Sequence, residues 1–150
     1  MAYEISTTIE IAATPENVWA VLADLASYPQ WHPMYQAMTG QLAAGSTLTI
    51  TSTHPANGRS MTAKVKVLAA EPNTELRWVS KLAGLTISER LFQLSPSAGG
   101  TSLVQAASYR GLGRSRSRAM IKTVTRIEGS FAAINQAIKQ QAEARQRAPG

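Results

Sequence analysis

Apolar and polar residues alternate one by one through YEISTTIEIA at residues 3–12, with Ile5, Thr7, Ile9 and Ile11 on one parity and Glu4, Ser6, Thr8 and Glu10 on the other. A period of two places each set on its own face of a strand, so the chain opens with a strand that buries its odd-numbered side. The pattern then changes. Thr14 is a good helix N-cap and Pro15 suits the first helical position, where its missing N–H has no partner to lose. Val18, Val21 and Leu22 follow at helical spacing, which predicts a helix ending near Asp24. A second short helix or turn is expected over Ser27–Tyr35, interrupted by Pro29 and Pro33.

Residues 36–110 return to alternation, cut by turn signals at Gly40 and Gly45, in HPANGRS, at Glu71-Pro72-Asn73, at Gly84 and over Pro96–Gly100. The strands between them place Leu48, Ile50 and Ser52, then Met61, Ala63, Val65 and Val67, then Leu76, Trp78, Ser80 and Leu82 on single faces. Residues 85–95 and 101–110 supply two more strands. Beyond Gly111 and Gly113 the period lengthens. Met120, Val124, Ile127, Phe131, Ile134 and Ile138 recur at intervals of four and three, one apolar stripe on a long helix. After Gln140 the large apolar residues stop, and 141–150 are expected to fray.

Short turns imply antiparallel pairing, and the amphipathic helix is the natural cover for the sheet's apolar face. The expectation is one α+β domain over residues 1–150. It has a strand, two short helices and about six further strands, with the sheet wrapped around a C-terminal helix.

Composition narrows the chemistry. With 44% hydrophobic and 16% charged residues the chain can bury a core. The absence of cysteine excludes a disulfide framework, a thiolate nucleophile and Cys-ligated metal, and two histidines, His32 and His54, do not make a His-rich metal site. No metal or other cofactor is expected. The first residues lack the apolar stretch of a signal peptide, and no apolar run approaches the roughly 18–20 residues of a membrane span, so the expected location is cytoplasmic. The net charge of +6 is unevenly placed: from Arg110 onward there are nine basic and two acidic residues, against six and seven before it.

Several segments resemble the SRPBCC superfamily, the START and polyketide cyclase/dehydrase-like proteins. They are the first strand running into Ala13-Thr14-Pro15-Glu16-Asn17-Val18-Trp19, then Asp24, Tyr28-Pro29 and Trp31, Gly40 and Gly45, Glu71-Pro72, Leu76-Arg77-Trp78, Arg90 and Phe92, Gly99-Gly100-Thr101, and Gly111-Leu112. The resemblance implies a helix-grip fold with a cavity between the concave face of the sheet and the last helix. It does not imply one activity, because the fold hosts lipid transfer, hormone binding and ring cyclisation.

If the last helix covers the concave face, strand parity turns Trp78, Arg90, Phe92, Gln105 and Tyr109 inward with Met61, Ala63, Val65 and Leu103, facing Met120, Val124, Ile127 and Phe131. Arg90 shares parity with Phe92 and Leu94, and an unpaired buried cation is costly. It must pair with a carboxylate such as Glu89 or Glu128, reach water, or meet an anionic group on a ligand. Gln105 and Tyr109 can orient a ligand by hydrogen bonds. Trp31, His32 and Tyr35 fall on the segment that the resemblance places near the cavity mouth, with His32 expected to be solvated. No inward Asp, Glu or His is evident in the strands, which argues against acid–base catalysis.

Arg114, Arg116, Arg118, Lys122 and Arg126 put five cations in thirteen residues without an acid. Anionic lipid headgroups are the better partner for them. Nucleic acid fits less well, since no aromatics for base stacking are interleaved. The sequence thus points to a carrier of a small hydrophobic ligand, such as a lipid, quinone or polyketide-like molecule. A cyclase/dehydratase-type enzyme and a chaperone-like module with a filled core are the alternatives.

Overall fold

The computed structural model describes the backbone of residues 2–53, 58–82, 85–110 and 118–148, and the side chains of these except at 2–3, 82, 85–87, 110 and 118–127. Seven strands and three α-helices are formed among them. They run β1 (Ala2–Ile11), α1 (Pro15–Ala23), α2 (Tyr28–Trp31), β2 (Tyr35–Gly40), β3 (Thr47–Thr53), β4 (Ser60–Glu71), β5 (Glu75–Leu82), β6 (Leu85–Ser97), β7 (Gly100–Arg110) and α3 (Arg118–Arg147), with a 3-10 turn at Leu25–Ser27.

The sheet is open and antiparallel throughout, in the order β1-β7-β6-β5-β4-β3-β2. Consecutive strands from β2 to β7 pair by short turns. The exception is β1, which pairs with β7 at one edge while the chain crosses through α1 and α2 to begin β2 at the other. The α1 start is built as its sequence dictates: Thr14 accepts from the backbone N–H of Asn17, and Pro15 follows in the first turn. Val18, Val21 and Leu22 are its buried face.

Two register details depart from simple alternation. Leu68 is the extra residue where β4 slips against β5 between Val67 and Ala69, and it is exposed. Met61, expected to line the inner face, is 45% exposed at the start of β4, beyond the cover of the packed core. Val79, on the face opposite Leu76 and Trp78, is also buried. The β6–β7 turn is tighter than the Pro96–Gly100 stretch suggested, since the strands pair out to Ser97 and Gly100.

Residues 141–147, part of the tail expected to fray, are helical. α3 continues to Arg147 because its last turns clasp the other end of the chain. Ala142 is fully buried. Lys139 donates to the carbonyl of Glu10 (3.0 Å) and pairs with Glu143, whose carboxylate takes the N–H of Ala12 (2.9 Å). Gln146 accepts from the Thr14 N–H (3.1 Å) and the Asn17 side chain (2.7 Å). These polar residues hold backbone groups at the end of β1 and the start of α1, which is why an apolar-stripe criterion overlooks them. His54, Gly84, Gly111, Gly113, Arg114 and Arg116 lie outside the described residues, as do the side chains of Arg118, Met120, Lys122, Val124, Arg126 and Ile127.

Two glycines show opposite responses to a methyl group. At Gly100 (φ 143°) a Cβ would meet the backbone carbonyl of Ile11 and, at 2.8 Å, the N and O of Ala13. None of these atoms can move without breaking the β1–β7 edge. At Gly129, inside α3, a Cβ would meet nothing. Urea unfolding should therefore show Gly100→Ala destabilised by about 2 kcal/mol or more, and Gly129→Ala stabilised by about 1 kcal/mol through helix propensity alone.

Candidate functional site

Strand alternation turns one side chain in two toward α3, and these do not form a uniform apolar floor. The larger cluster lies toward α1 and α2. It contains Ile11, Leu48, Val65, Leu76, Trp78, Phe92, Leu94 and Leu103 from the strands and Ile134, Ile138 and Ala142 from α3. A smaller one comprises Ile5, Ala107 and Phe131, with Tyr109 packed against it. Between them runs a polar row. Along β1 the order is Ile9, Thr7, Ile5; along β7 it is Leu103, Gln105, Ala107; and Arg90 follows Phe92 on β6.

Gln105 is the centre of this row and is completely buried. Its amide nitrogen donates to Asn135 Oδ1 (2.6 Å) and to the Phe131 carbonyl (3.3 Å), and its amide oxygen accepts from Arg90 Nη2 (2.6 Å). Asn135 Nδ2 donates to Thr7 Oγ1 (3.0 Å), and Thr7 Oγ1 donates to the Gln105 carbonyl (3.0 Å). Every donor and acceptor in the chain has one consistent direction. Gln105, expected to bond a ligand directly, thus spends both its N–H groups inside the protein.

The Arg90 guanidinium lies over the Phe131 ring (4.7 Å) and near that of Phe92 (5.8 Å). Its Nη1 reaches the Tyr35 hydroxyl at 3.5 Å, the outer limit of a hydrogen bond. Its Nε is buried without an acceptor. Glu89 does not neutralise it, because the adjacent strand position points to the other face, where Glu89 pairs with Arg77 (3.1 Å). Arg90 makes no ion pair with any carboxylate among the described residues.

An aromatic group from α2 and the start of β2 adjoins this cation. His32 stacks on Tyr35 at 3.7 Å and 7°, and Tyr28 packs against Trp31 at 4.6 Å. His32 is 6% exposed, not solvated as its loop-like sequence suggested, because the rings close over it. Its Nδ1 accepts the N–H groups of Met34 and Tyr35, both at 3.1 Å, which leaves the proton on Nε2. Burial, helped by the charge of Arg90, lowers its pKa to about 3. Burial raises the pKa of Tyr109 and Tyr28, with Arg90 pulling both the other way. His32 is therefore neutral near pH 7 and its lone pair is occupied. It cannot serve as a general base.

The expected site residues thus separate. Arg90, Gln105, Tyr35 and Phe92 meet directly, Trp78 lies against Phe92 (5.9 Å), and Tyr109 stands beside Phe131. Trp31 belongs to the aromatic group through Tyr28 and His32, with its indole N–H bonded to Ser27 (3.2 Å). Asn135 was overlooked. A stripe at i, i+3, i+4 carries Phe131, Ile134 and Asn135 together, so a strict count of apolar positions drops the one polar member. Two shallow depressions, of about 250 and 340 Å³, lie elsewhere, by Glu4, Ser6 and Ala106 on the outer face and by Glu4, Thr7 and Glu128 at the β1 edge. Neither is lined by Arg90, Gln105 or Asn135, and the second meets the polar row at Thr7.

A family model described as polyketide cyclase/dehydrase and lipid transport matches residues 2–143. The chain belongs to that family. Solved structures agree on the fold. Protein NE0264 from Nitrosomonas europaea superposes with a TM-score of 0.77 at 13% identity, covering 97% of each chain. A START superfamily protein from Mycobacterium smegmatis gives 0.74 at 17% identity, covering 94% of this chain and 97% of that one. The di-domain ARO/CYC protein StfQ of the steffimycin biosynthetic pathway gives 0.76 at 13% identity, covering 97% of this chain but 52% of its own length. No curated protein matches. The architecture of this family member is the helix-grip fold of the SRPBCC superfamily, as the segment-by-segment resemblance implied.

The buried neutral imidazole has a measurable consequence. A pKa held below the unfolded value of 6.5 means the unfolded chain takes up the proton first. Stability from this group is complete above pH 6.5 and is lost as pH falls toward 3. Between pH 7 and pH 5 the wild type should lose about 2 kcal/mol more than His32→Gln, read from urea unfolding at the two values.

Proposed function

We propose that the protein binds a small hydrophobic molecule between the sheet and α3, with Arg90 as its polar contact. One observation carries this reading: a cation is held among aromatic rings, with an unfilled donor and no carboxylate partner among the described residues. A charge so placed is a net cost to folding unless something else meets it. An apolar enclosure with one or two directional polar groups is the usual form of a small-molecule site. Family membership supports the class of ligand, since the family's description couples polyketide cyclisation with lipid transport. Lipids, quinones and polyketide-like aromatics are the candidates, and transport or sequestration is the role. A basic start of α3 docking on anionic lipid belongs to the same reading and rests on sequence alone. No helix among the described residues is long and apolar enough to cross a membrane.

The second reading is a cyclase or dehydratase. Arg90 can stabilise an enolate oxygen, and the likeness to an ARO/CYC protein favours considering it. Such an enzyme also needs a group that moves the proton. His32 is spent, while Tyr109 holds its proton more tightly than a free tyrosine. Carriage therefore takes precedence over catalysis.

Mass spectrometry of the purified protein, native and after organic extraction, tests the container. A stoichiometric apolar molecule is expected, and Arg90→Met should retain less of it, with affinity lowered about 10- to 100-fold, the worth of one charge-assisted hydrogen bond. An empty protein that takes up none of a panel of lipids, quinones and aromatic polyketide analogues would count against the reading.

A further inference from the structure

The polar row does more than join sheet to helix: it sets what kind of head group Arg90 accepts. We infer that the site selects apolar molecules carrying a single negative charge, and that Gln105 and Asn135 are the positioning residues that keep the Arg90 charge available for it. The inference rests on the proposed ligand site and adds the chemical class of its occupant.

The argument begins with charge. Of the five N–H donors of a guanidinium, two have acceptors among the described residues, Gln105 at 2.6 Å and Tyr35 at 3.5 Å. Both acceptors are uncharged. The described titratable groups near the guanidinium are His32, whose pKa burial lowers, Tyr28 and Tyr109, whose pKa values burial raises, and Tyr35, whose hydroxyl it meets; none is a carboxylate. The positive charge therefore stands without a counter-charge among these groups. It also acts on them, entering as a cause in the shifts of Tyr28, His32 and Tyr109. A neutral carbonyl would fill a hydrogen bond and leave the charge uncompensated. A carboxylate or phenolate fills the bond and supplies the charge, and carboxylate matches the guanidinium fork.

Gln105 is decisive in this. A glutamate there would have the same shape and would neutralise Arg90 from within. The amide instead gives an acceptor without a charge. Its orientation is enforced from the helix: because Asn135 and the Phe131 carbonyl take both N–H groups, only the oxygen is left to face Arg90. Asn135 is held in turn by Thr7. It touches no ligand on this account and acts through Gln105.

The test compares matched acids and esters by calorimetric titration at pH 7.4 and low salt. The probes are decanoate and 2-naphthoate against their methyl esters, with the wild type, Gln105→Glu, Asn135→Ala and Arg90→Gln. The wild type should bind each acid at least ten-fold more tightly than its ester. Gln105→Glu and Arg90→Gln should reduce that ratio to within about three-fold, chiefly by weakening the acid. Asn135→Ala should lower it part-way, with ester affinity nearly unchanged. A merely structural role for either amide would weaken acid and ester alike, which is why the ratio is the readout. Acid and ester bound equally by the wild type would overturn the charge selection and leave the container standing. Neither bound, with no displacement of a hydrophobic dye, would remove the container and the inference together. A Gln105→Glu protein that still prefers the acid ten-fold would overturn the role given to the amide, and Asn135→Ala provides the independent check should the first variant fold poorly.

Discussion

Gln105 is fully buried, and a buried amide must have both its N–H groups and its oxygen met or lose the cost of desolvating them. Meeting them fixes much else. The N–H groups require Asn135 and the Phe131 carbonyl, so one turn of α3 must sit directly over β7. The oxygen requires a donor from β6, which Arg90 supplies. Apolar packing alone would let a helix slide on a sheet with little penalty, because ridges of Ile and Phe are interchangeable within a turn. A directional polar row does not slide. It gives the helix a register on the sheet and places Phe131, not a neighbouring residue, against the guanidinium.

The same row divides the interior. On the side of α1 and α2 the packing is dense, with Leu22, Leu48, Val67, Leu76, Leu103, Ile134 and Ile138 all fully buried. There the C-terminal turns of α3 are bolted to Glu10, Ala12, Thr14 and Asn17. On the other side the described apolar cluster is small: Ile5, Ala107 and Phe131, with Tyr109 against them. Among the described residues the Arg90 guanidinium sits with this smaller cluster, over Phe131. Such a division suits the proposed binding site, since the groups that meet a ligand cannot also be the ones that close the core.

Much of the fold was legible because each element states its period clearly. Alternation from Ile5 to Ile11, Thr14-Pro15 ahead of Val18, and the stripe from Phe131 to Ile138 each have one reading. The errors occurred where polar groups replaced apolar ones in a structural role. Lys139, Glu143 and Gln146 hold backbone groups rather than bury area, so the last two turns of α3 read as a tail. Met61 departs from expectation for a different reason: parity tells which way a side chain points, not whether anything covers it there. At the site, Arg90 was legible as a charge on an apolar parity. Asn135 and the burial of His32 were not. One is a polar residue on an apolar helix face; the other depends on aromatic rings brought together by α2 and β2. Such contacts are created by the fold and have no local signature.

The electrostatics of the site also separate binding from turnover. A catalyst of cyclisation must stabilise a developing oxyanion and also shift protons, and those needs pull a site in different directions. An uncompensated cation meets the first and works against the second, because it lowers the proton affinity of any base beside it. His32 shows the effect: burial is the larger cause of its low pKa, and the charge of Arg90 acts the same way. Its Nδ1, the one lone pair that might have accepted a proton, is held by two backbone N–H groups. Burial thus keeps His32, Tyr28 and Tyr109, beside Arg90, in their neutral forms near pH 7. Such an arrangement suits the proposed binding of an anion by a carrier, and an acid–base catalyst would have to undo it.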